Sequence, residues 1–204
     1  MILQFRIFHD IKPNGRNLTL SEKLSQYSLI TAFVFSLILL GVEKLFEIKA
    51  YPFLMWIPII GFFIHLTSMF VRINEYENLN GYFDGTLILN EEFIVLNNLN
   101  IPLNEIEKLE INYFDFSGRK TGNYRYGPMY TNGIGNQIKI KTRHSSYECY
   151  FEIISETLIY NIEQYLYNIV VNRKLPSTKN HLDLVPNDLK DNKAFIAISN
   201  EVKN

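Results

Sequence analysis

The sequence contains a single cysteine, Cys149, and its four histidines are widely separated. A disulfide framework needs paired cysteines, and a zinc site needs several Cys or His ligands at short spacing, so both are excluded. The chain also lacks a charge excess, with 20 Lys and Arg against 21 Asp and Glu, whereas most nucleic-acid-binding domains are clearly basic. We therefore expect no bound metal or cofactor and no nucleic-acid partner.

The residue patterns of common enzymes are also missing. No pair of histidines has helical metal-ligand spacing with an acidic residue between them. The glycines of residues 133–136 precede a predicted strand, whereas phosphate-binding glycines follow a strand and open a helix. Cys149 lies on the predicted inner face of a strand, where a thiol is inert. We expect a protein that binds and does not catalyse.

Two long apolar runs stand close together near the N-terminus. Residues 24–42 form 19 consecutive residues without a charge, and residues 50–71 form another 22. As helices they are about 29 and 33 Å long, comparable to the roughly 30 Å hydrocarbon core of a bilayer. The alternative is a pair of buried core helices in a soluble fold. The length of both runs predicts a two-helix transmembrane hairpin over residues 24–71.

The connector between the runs is too short to allow anything but an antiparallel return, so both termini lie on one side of the membrane. The basic residues near the membrane on the terminal side are Lys12, Arg16, Lys23 and Arg72, and those in the connector are Lys44 and Lys49. Because positive residues are enriched on the cytoplasmic side, this excess predicts cytoplasmic termini and a multi-pass protein of the inner (plasma) membrane.

Small and polar residues recur on one stripe of each predicted helix. The stripe of the first helix contains Ser28, Ala32 and Ser36, and that of the second contains Gly61, His65 and Ser68. Small residues let two helix backbones approach closely, so we expect the two stripes to face each other. An intramembrane histidine marks a proton or ion pathway in some proteins. The alternative is a neutral imidazole hydrogen-bonded to Ser28 or Thr31.

After Arg72 apolar and polar residues alternate, which is typical of β-strands. Residues 85–90 and 93–96 predict a hairpin that turns at Glu91 and Glu92. Further strands are predicted in the segments 106–111, 137–142 and 147–153. An amphipathic helix follows Ser155, with an apolar stripe of Leu158, Ile159, Ile162, Tyr165, Leu166, Ile169 and Val170. Antiparallel strands closed by a C-terminal helix predict a small open barrel or bent sheet.

The predicted organisation has four parts. Residues 1–23 form an N-terminal arm whose alternating start adds a strand or lies at the interface, and the hairpin occupies 24–71. Residues 72–174 form the cytoplasmic domain, and residues 175–204 form a loose polar tail. Within the tail, the apolar segment 194–199 is expected to pair with a free sheet edge.

The order of these soluble elements resembles that of bacterial pleckstrin-homology-like (PH-like) domains. The resemblance rests on the segments 85–89, 101–111, 136–140 and 155–172. It implies an all-β or α+β domain closed by a C-terminal helix beside paired transmembrane helices, and a role as a membrane-associated adaptor or oligomerising module. Glu91 and Glu92 stand in the first hairpin, where eukaryotic relatives carry basic residues for inositol phosphates, so phosphoinositide binding at that site is not expected.

The charges of the predicted domain are separated along the chain. Residues 73–116 contain nine acidic residues and one base, whereas residues 117–147 contain six bases and no acid. The predicted binding residues, on the glycine-rich loop of residues 117–136 and the basic strand that follows, are Arg119, Lys120, Tyr124, Arg125, Tyr126, Lys139, Lys141 and Arg143. Aromatic and basic residues together suit a lipid surface or a protein partner. The alternatives are charged faces that pair with each other and aromatics that pack on the sheet.

Two functional hypotheses follow from the sequence. The first is a membrane-anchored adaptor or assembly module that presents a PH-like domain at the cytoplasmic face to a protein partner, a second copy or the lipid bilayer. The second is a subunit of a membrane transport or pore-forming complex, with the PH-like domain as its regulatory gate and the polar stripes lining the assembly.

Overall fold

The computed structural model describes residues 1–11, 17–46, 52–122, 127–176 and 178–203. The chain divides into two compact units. The first, here called the sheet unit, comprises Met1–Pro13, Leu79–Arg119 and Asn132–Asn204, and the second, the helix unit, comprises Asn14–Asn78 and Lys120–Thr131. The sheet unit thus includes the N-terminal segment and the C-terminal segment, which the sequence analysis had separated from the domain at 72–174.

The described residues contain nine strands and five α-helices. The strands are β1 Ile2–Asp10, β2 Gly81–Asn90, β3 Phe93–Leu96, β4 Leu99–Pro102, β5 Ile106–Asn112, β6 Ser117–Lys120, β7 Tyr130–Asn132, β8 Asn136–Thr142 and β9 Ser146–Phe151. The helices are α1 Leu20–Phe46, α2 Trp56–Val71, α3 Glu156–Val171, α4 Lys179–Leu182 and α5 Lys193–Lys203. Short 3₁₀ turns occupy Pro52–Met55, Arg72–Asn74, Leu103–Glu105 and Asn187–Leu189.

Seven strands form one antiparallel sheet in the order β4-β3-β2-β1-β9-β8-β5, and β6 and β7 form a separate two-stranded sheet. The N-terminal strand β1 lies in the middle of the large sheet. It pairs with β2 from Ile2 opposite Asn90 to Asp10 opposite Gly81, and with β9 at Ile7 opposite Phe151. Its side chains alternate between exposed and buried, which places Leu3, Phe5 and Ile7 in the core.

The helix α3 covers the buried face of the sheet. Five of its residues, at the helical spacing that the sequence predicts, are buried in the same hydrophobic cluster as the inward side chains of the strands: Ile162, Tyr165, Leu166, Ile169 and Val170. The Tyr165 hydroxyl donates a hydrogen bond to the carbonyl of Asn90 at 3.0 Å, so this buried ring leaves no polar atom unpaired. The predicted amphipathic helix and the predicted β2–β3 hairpin are confirmed.

The C-terminal segment differs from its prediction. Residues 194–199, expected to pair as a strand, lie within the helix α5, and the segment from 178 to 203 is folded and not a loose tail. Phe195 and Ile198 are buried in the core cluster and Val202 packs against it. These apolar residues recur at spacings of three and four, a helical period that the short apolar run masked. A second difference is β4, a strand that was not predicted from the sequence.

The helices α1 and α2 belong to the helix unit. The first predicted run, 24–42, extends to Leu20 because a capping box begins the helix. The Thr19 amide donates to the Glu22 carboxylate at 2.8 Å, and the Glu22 amide donates to the Thr19 hydroxyl at 3.4 Å. Regular α-structure in the second run begins at Trp56, with Pro58 in the first turn, where its missing N–H breaks no intrahelical bond.

Both helices have the length and composition of membrane-spanning helices. The candidate spans are Leu20–Leu45 and Trp56–Asn74, with mean hydropathies of 1.9 and 1.6. Only 6% and 17% of the residues in their most apolar windows are buried. The architecture is therefore two long apolar helices together with a largely antiparallel sheet and its covering helices, which is compatible with the predicted helical hairpin plus β-domain.

Candidate functional site

The helices α1 and α2 pack against each other in opposite directions. The hydroxyl of Ser25 lies 3.0 Å from Nδ1 of His65. Further along α1, and one turn nearer the start of α2, a Cβ on Gly61 would lie 3.0 Å from Cβ of Ala32 and 3.1 Å from the Ser28 carbonyl. Glycine at 61 is therefore what permits this close approach of the two backbones.

The structure places the residues of the two predicted stripes as follows. Gly61, His65 and Ser68 are the buried residues of α2, and Ser28 is buried on α1. Ser36 is half-buried, and its hydroxyl donates to the carbonyl of Ala32 at 2.7 Å. Ala32 and Gly61 are in contact, whereas Ser36 is bonded to its own helix.

His65 has a hydrogen-bond partner that was not among the expected ones, because its Nδ1 lies within bonding distance of the Ser25 hydroxyl. Ser28 uses its hydroxyl hydrogen for the carbonyl of Leu24 in its own helix, a common bond for serine inside helices. His65 is thus held inside the helix pair by a serine one turn nearer the start of α1.

At the base of the helix pair, Glu75 joins three parts of the helix unit. Its carboxylate accepts hydrogen bonds from the Ser21 amide, at 3.1 and 3.3 Å, and from the Ser21 hydroxyl. Its backbone carbonyl accepts from the amides of Met129 and Tyr130, at 3.0 and 3.1 Å. The start of α1, the chain after α2 and the end of the glycine-rich loop are thereby fixed together.

The described end of that loop is ordered by further contacts within the helix unit. The amide of Glu77 donates to the Tyr130 carbonyl at 2.9 Å, and the rings of Tyr76 and Tyr130 lie 5.4 Å apart. Thr121 bonds back to the loop, its amide to the Met129 carbonyl at 2.8 Å and its hydroxyl to the Pro128 carbonyl at 2.9 Å. Tyr130 therefore packs within the protein.

The predicted basic surface is only partly available. Arg119 is exposed, but its guanidinium donates to the Phe114 carbonyl at 2.8 Å and lies 5.5 Å from the Phe114 ring centroid. Lys120 is exposed. The predicted binding residues Tyr124, Arg125 and Tyr126 lie outside the described residues.

On the outer face of the sheet, several bases lie beside acids of neighbouring strands. Lys139 of β8 is in register between Glu110 of β5 and Glu148 of β9, with its Nζ 3.5 Å from a Glu148 oxygen. Arg143 lies 3.9 Å from a Glu107 oxygen, and Lys141 stands beside Lys108. The sheet register thus mixes the acidic and basic segments, and ion pairs weaken the electrostatic potential of this face.

Cys149 and Tyr113 have altered acid–base properties in the sheet unit. Burial raises the pKa of the Cys149 thiol to about 12, with a smaller contribution from Glu148. Burial and the nearby Glu163 and Asp188 raise the pKa of Tyr113 to about 12. Neither group ionises at neutral pH. Within the described residues there is no group of three His, Cys, Asp or Glu side chains placed to hold a metal ion.

No protein-family model matches the chain, and neither a curated protein nor a solved structure shows significant similarity to it.

The residues at the base of the helix pair were not predicted from the sequence. Thr19 and Glu22 were detectable, because Thr-x-x-Glu before an apolar run is the pattern of a capping box. Ser21 and Glu75 gave no signal, because their contact joins residues 54 positions apart.

Proposed function

We propose that the protein is a membrane-anchored adaptor or assembly module, in which the helix pair is inserted in a bilayer and the sheet unit makes contacts with a protein partner or the lipid surface. The observation that carries this proposal is the exposure of the apolar helices. On α1, Phe33 is 65% and Leu40 63% exposed, and on α2, Phe63 is 61% and Phe70 74% exposed.

The free energy of this exposure supports a bilayer. Moving one large apolar side chain out of water stabilises a protein by about 1.5–3 kcal/mol. More than a dozen such side chains on α1 and α2 are exposed, so the total far exceeds the roughly 5–15 kcal/mol net stability of a domain. A core helix of a soluble protein is mostly buried, whereas these helices bury only the stripe on which they meet. Lipid is the environment that such surfaces need.

For the sheet unit we propose a PH-like fold of the bacterial type. Supporting it are the antiparallel sheet, in which the first strand β1 pairs with the last strand β9, and the helix α3 that covers its core. The ion-paired outer face carries little free positive charge. Contact with a protein or a second copy is therefore favoured over electrostatic attraction to lipid as the work of this unit.

We further propose an inner (plasma) membrane location with cytoplasmic termini, supported by the basic residues on the terminal side. The transport hypothesis gains no support, because His65 is enclosed in the helix contact and bonded to Ser25.

The proposal is tested by fractionation and affinity capture of the full chain. After expression in a bacterium, we expect the protein to stay in the membrane pellet at alkaline pH and to dissolve only in detergent. A compact, detergent-free soluble form would contradict the membrane role.

Capture after cross-linking in intact cells is then compared between the natural protein and a variant with Arg119→Glu and Lys120→Glu. Both side chains are exposed, so the fold should survive. A reproducible cross-linked partner or dimer supports the adaptor role, and the absence of either contradicts it. Its loss in the variant would assign the contact to this surface.

A further inference from the structure

A groove runs between α1 and α2 on one side of the helix pair, with a volume of about 360 Å³. Its walls include Tyr27 and Thr31 of α1 and Ile60 and Ile64 of α2, and Lys23 stands at one end. From Lys23 to Thr31 the groove follows α1 for about 12 Å, since each helical residue adds about 1.5 Å.

The floor of the groove is apolar in character. It is formed where Ser28 meets Gly61, and the Ser28 hydroxyl hydrogen is directed to the Leu24 carbonyl of its own helix. A polar ligand would therefore find few partners along the floor. A hydrocarbon chain bound in the groove would cover this exposed apolar surface and make van der Waals contacts with it, which is favourable.

The mouth of the groove carries a positive charge. Lys23 is exposed, and among the described residues no acidic side chain lies within ion-pair distance of its ammonium group. It is the last charged residue before the uncharged run that starts at Leu24, so it stands at the level of lipid headgroups if α1 spans a bilayer. Tyr27, one turn further, suits the same interfacial level.

We propose that this groove binds one acyl chain of an anionic phospholipid, with the lipid phosphate held by the Lys23 ammonium. The inference rests on the proposed membrane function and adds a specific lipid site to it. The lipid phosphate complements the lysine charge, and the groove takes the part of the chain nearest the headgroup, because about 12 Å is less than half of the roughly 30 Å hydrocarbon core.

The experiment uses the full chain in phosphatidylcholine vesicles with spin-labelled phosphatidylglycerol or phosphatidylcholine, the label being placed near the headgroup end of one acyl chain. Electron paramagnetic resonance gives the immobilised fraction of each lipid. We expect selectivity for phosphatidylglycerol, and Lys23→Gln should lower it roughly fivefold, which corresponds to about 1 kcal/mol for one basic residue at the surface. Lys44→Gln, at the other end of α1, should leave it unchanged.

A second pair of variants tests the groove itself. Ile60→Trp fills the groove, whereas Ile59→Trp changes an exposed neighbour that does not line it. We expect the first to release the immobilised phosphatidylglycerol and the second to retain it. The inference is overturned if the natural protein shows no selectivity, if Lys44→Gln matches Lys23→Gln, or if Ile60→Trp has no effect. Membrane insertion is measured in the same samples: failure to insert overturns the proposed function, whereas insertion without selectivity overturns only the lipid site.

Discussion

Burial determines the acid–base behaviour of side chains at the core of the sheet unit. Cys149 on β9 has a pKa of about 12 because its thiolate would lose solvation there. Burial likewise raises the pKa of Tyr165, whose hydroxyl is bonded to the Asn90 carbonyl. Both groups stay protonated at neutral pH, so their acid–base chemistry is suppressed.

The raised pKa of Cys149 predicts a thiol that resists alkylation. At pH 8 the thiolate population is very small, so iodoacetamide should modify the native protein far more slowly than the denatured protein. Mass spectrometry measures the alkylated fraction of each over time. A matched control moves the thiol to an exposed position of the same strand, with Cys149→Ser and Ser146→Cys combined. Equal rates for the natural protein and this control would contradict the predicted burial.

Glu163 predicts a pH-dependent stability. Burial and the neighbouring Asp188 raise the pKa of Glu163, so the folded protein binds a proton there more readily than the unfolded chain. The ionised group therefore costs stability, and the cost is complete above the raised pKa and vanishes below the ordinary value near 4.3. Glu163→Gln should raise the thermal midpoint at pH 7 and have little effect at pH 4.

The control for Glu163 is Asp191→Asn, which removes a carboxylate from an exposed position. It should not reproduce the pH-dependent gain. A Glu163→Gln effect that is equal at both pH values would show that the charge at this position carries no such cost.

Gly133 illustrates a position that only glycine can occupy. Its φ is +71°, and a Cβ there would lie 2.2 Å from the Ile153 carbonyl and 2.5 Å from the Ser117 amide. Gly133→Ala should destabilise the fold by roughly 2 kcal/mol or more, because both the backbone conformation and the contacts are strained. Gly122→Ala meets nothing within 4 Å among the described residues and should change stability by less than about 0.5 kcal/mol. Denaturant unfolding in detergent measures both.

At the level of elements, the contact between α1 and α2 depends on small side chains. Gly61 lies against Ala32 and the Ser28 carbonyl, whereas a Cβ on Gly41 of α1 would meet no atom of another described element within 4 Å. Helices in lipid gain little from the hydrophobic effect between them, so close packing and hydrogen bonds hold them together. The Ser25–His65 bond and the Gly61 contact are two parts of that packing.

Gly61→Leu should loosen the helix pair, and Gly41→Leu is its matched control. Both changes raise helix propensity equally, but only the first forces atoms into a filled space, at a cost of about 1–3 kcal/mol. Hydrogen exchange of α1 and α2 amides in detergent should accelerate roughly tenfold for the first variant, as expected from about 1.4 kcal/mol. Similar exchange in the two variants would mean that Gly61 is not at a tight contact.

The elements that the sequence predicts well are those whose signal is local. The alternating residues of β2, β3 and β5 and the stripe of α3 repeat within a single window, so pattern and structure agree. The helix α5 was mistaken for a strand because its apolar segment is too short to distinguish the two periods. The central place of β1 in the sheet and the bond of Ser25 to His65 depend on partners 40 or more positions away, which no local pattern contains.

At the scale of the whole molecule, the helix pair interrupts the sheet unit between its first two strands. The chain leaves β1 at Asp10, forms α1 and α2, and returns at Gly81 to pair with the same strand. Since Asp10 lies opposite Gly81, the insertion begins and ends at one point of the sheet.

The orientation of this insertion is predicted to be sensitive to a few charges. Four basic residues flank the helices on the terminal side, Lys12, Arg16, Lys23 and Arg72, against Lys44 and Lys49 in the connector. A reporter that works only in the cytoplasm should therefore be active when fused to the C-terminus. A reporter that works only in the periplasm should be active when fused after Phe46.

Glu43→Lys and Glu47→Lys together equalise the two counts of basic residues, so the combined variant should give mixed orientations. The exchange of Glu43 and Glu47 for Gln keeps the basic residues unchanged and should leave the orientation uniform, because acidic residues contribute little to this rule. Uniform orientation of the lysine variant would show that features other than flanking charge, such as early folding of the sheet unit, determine the topology.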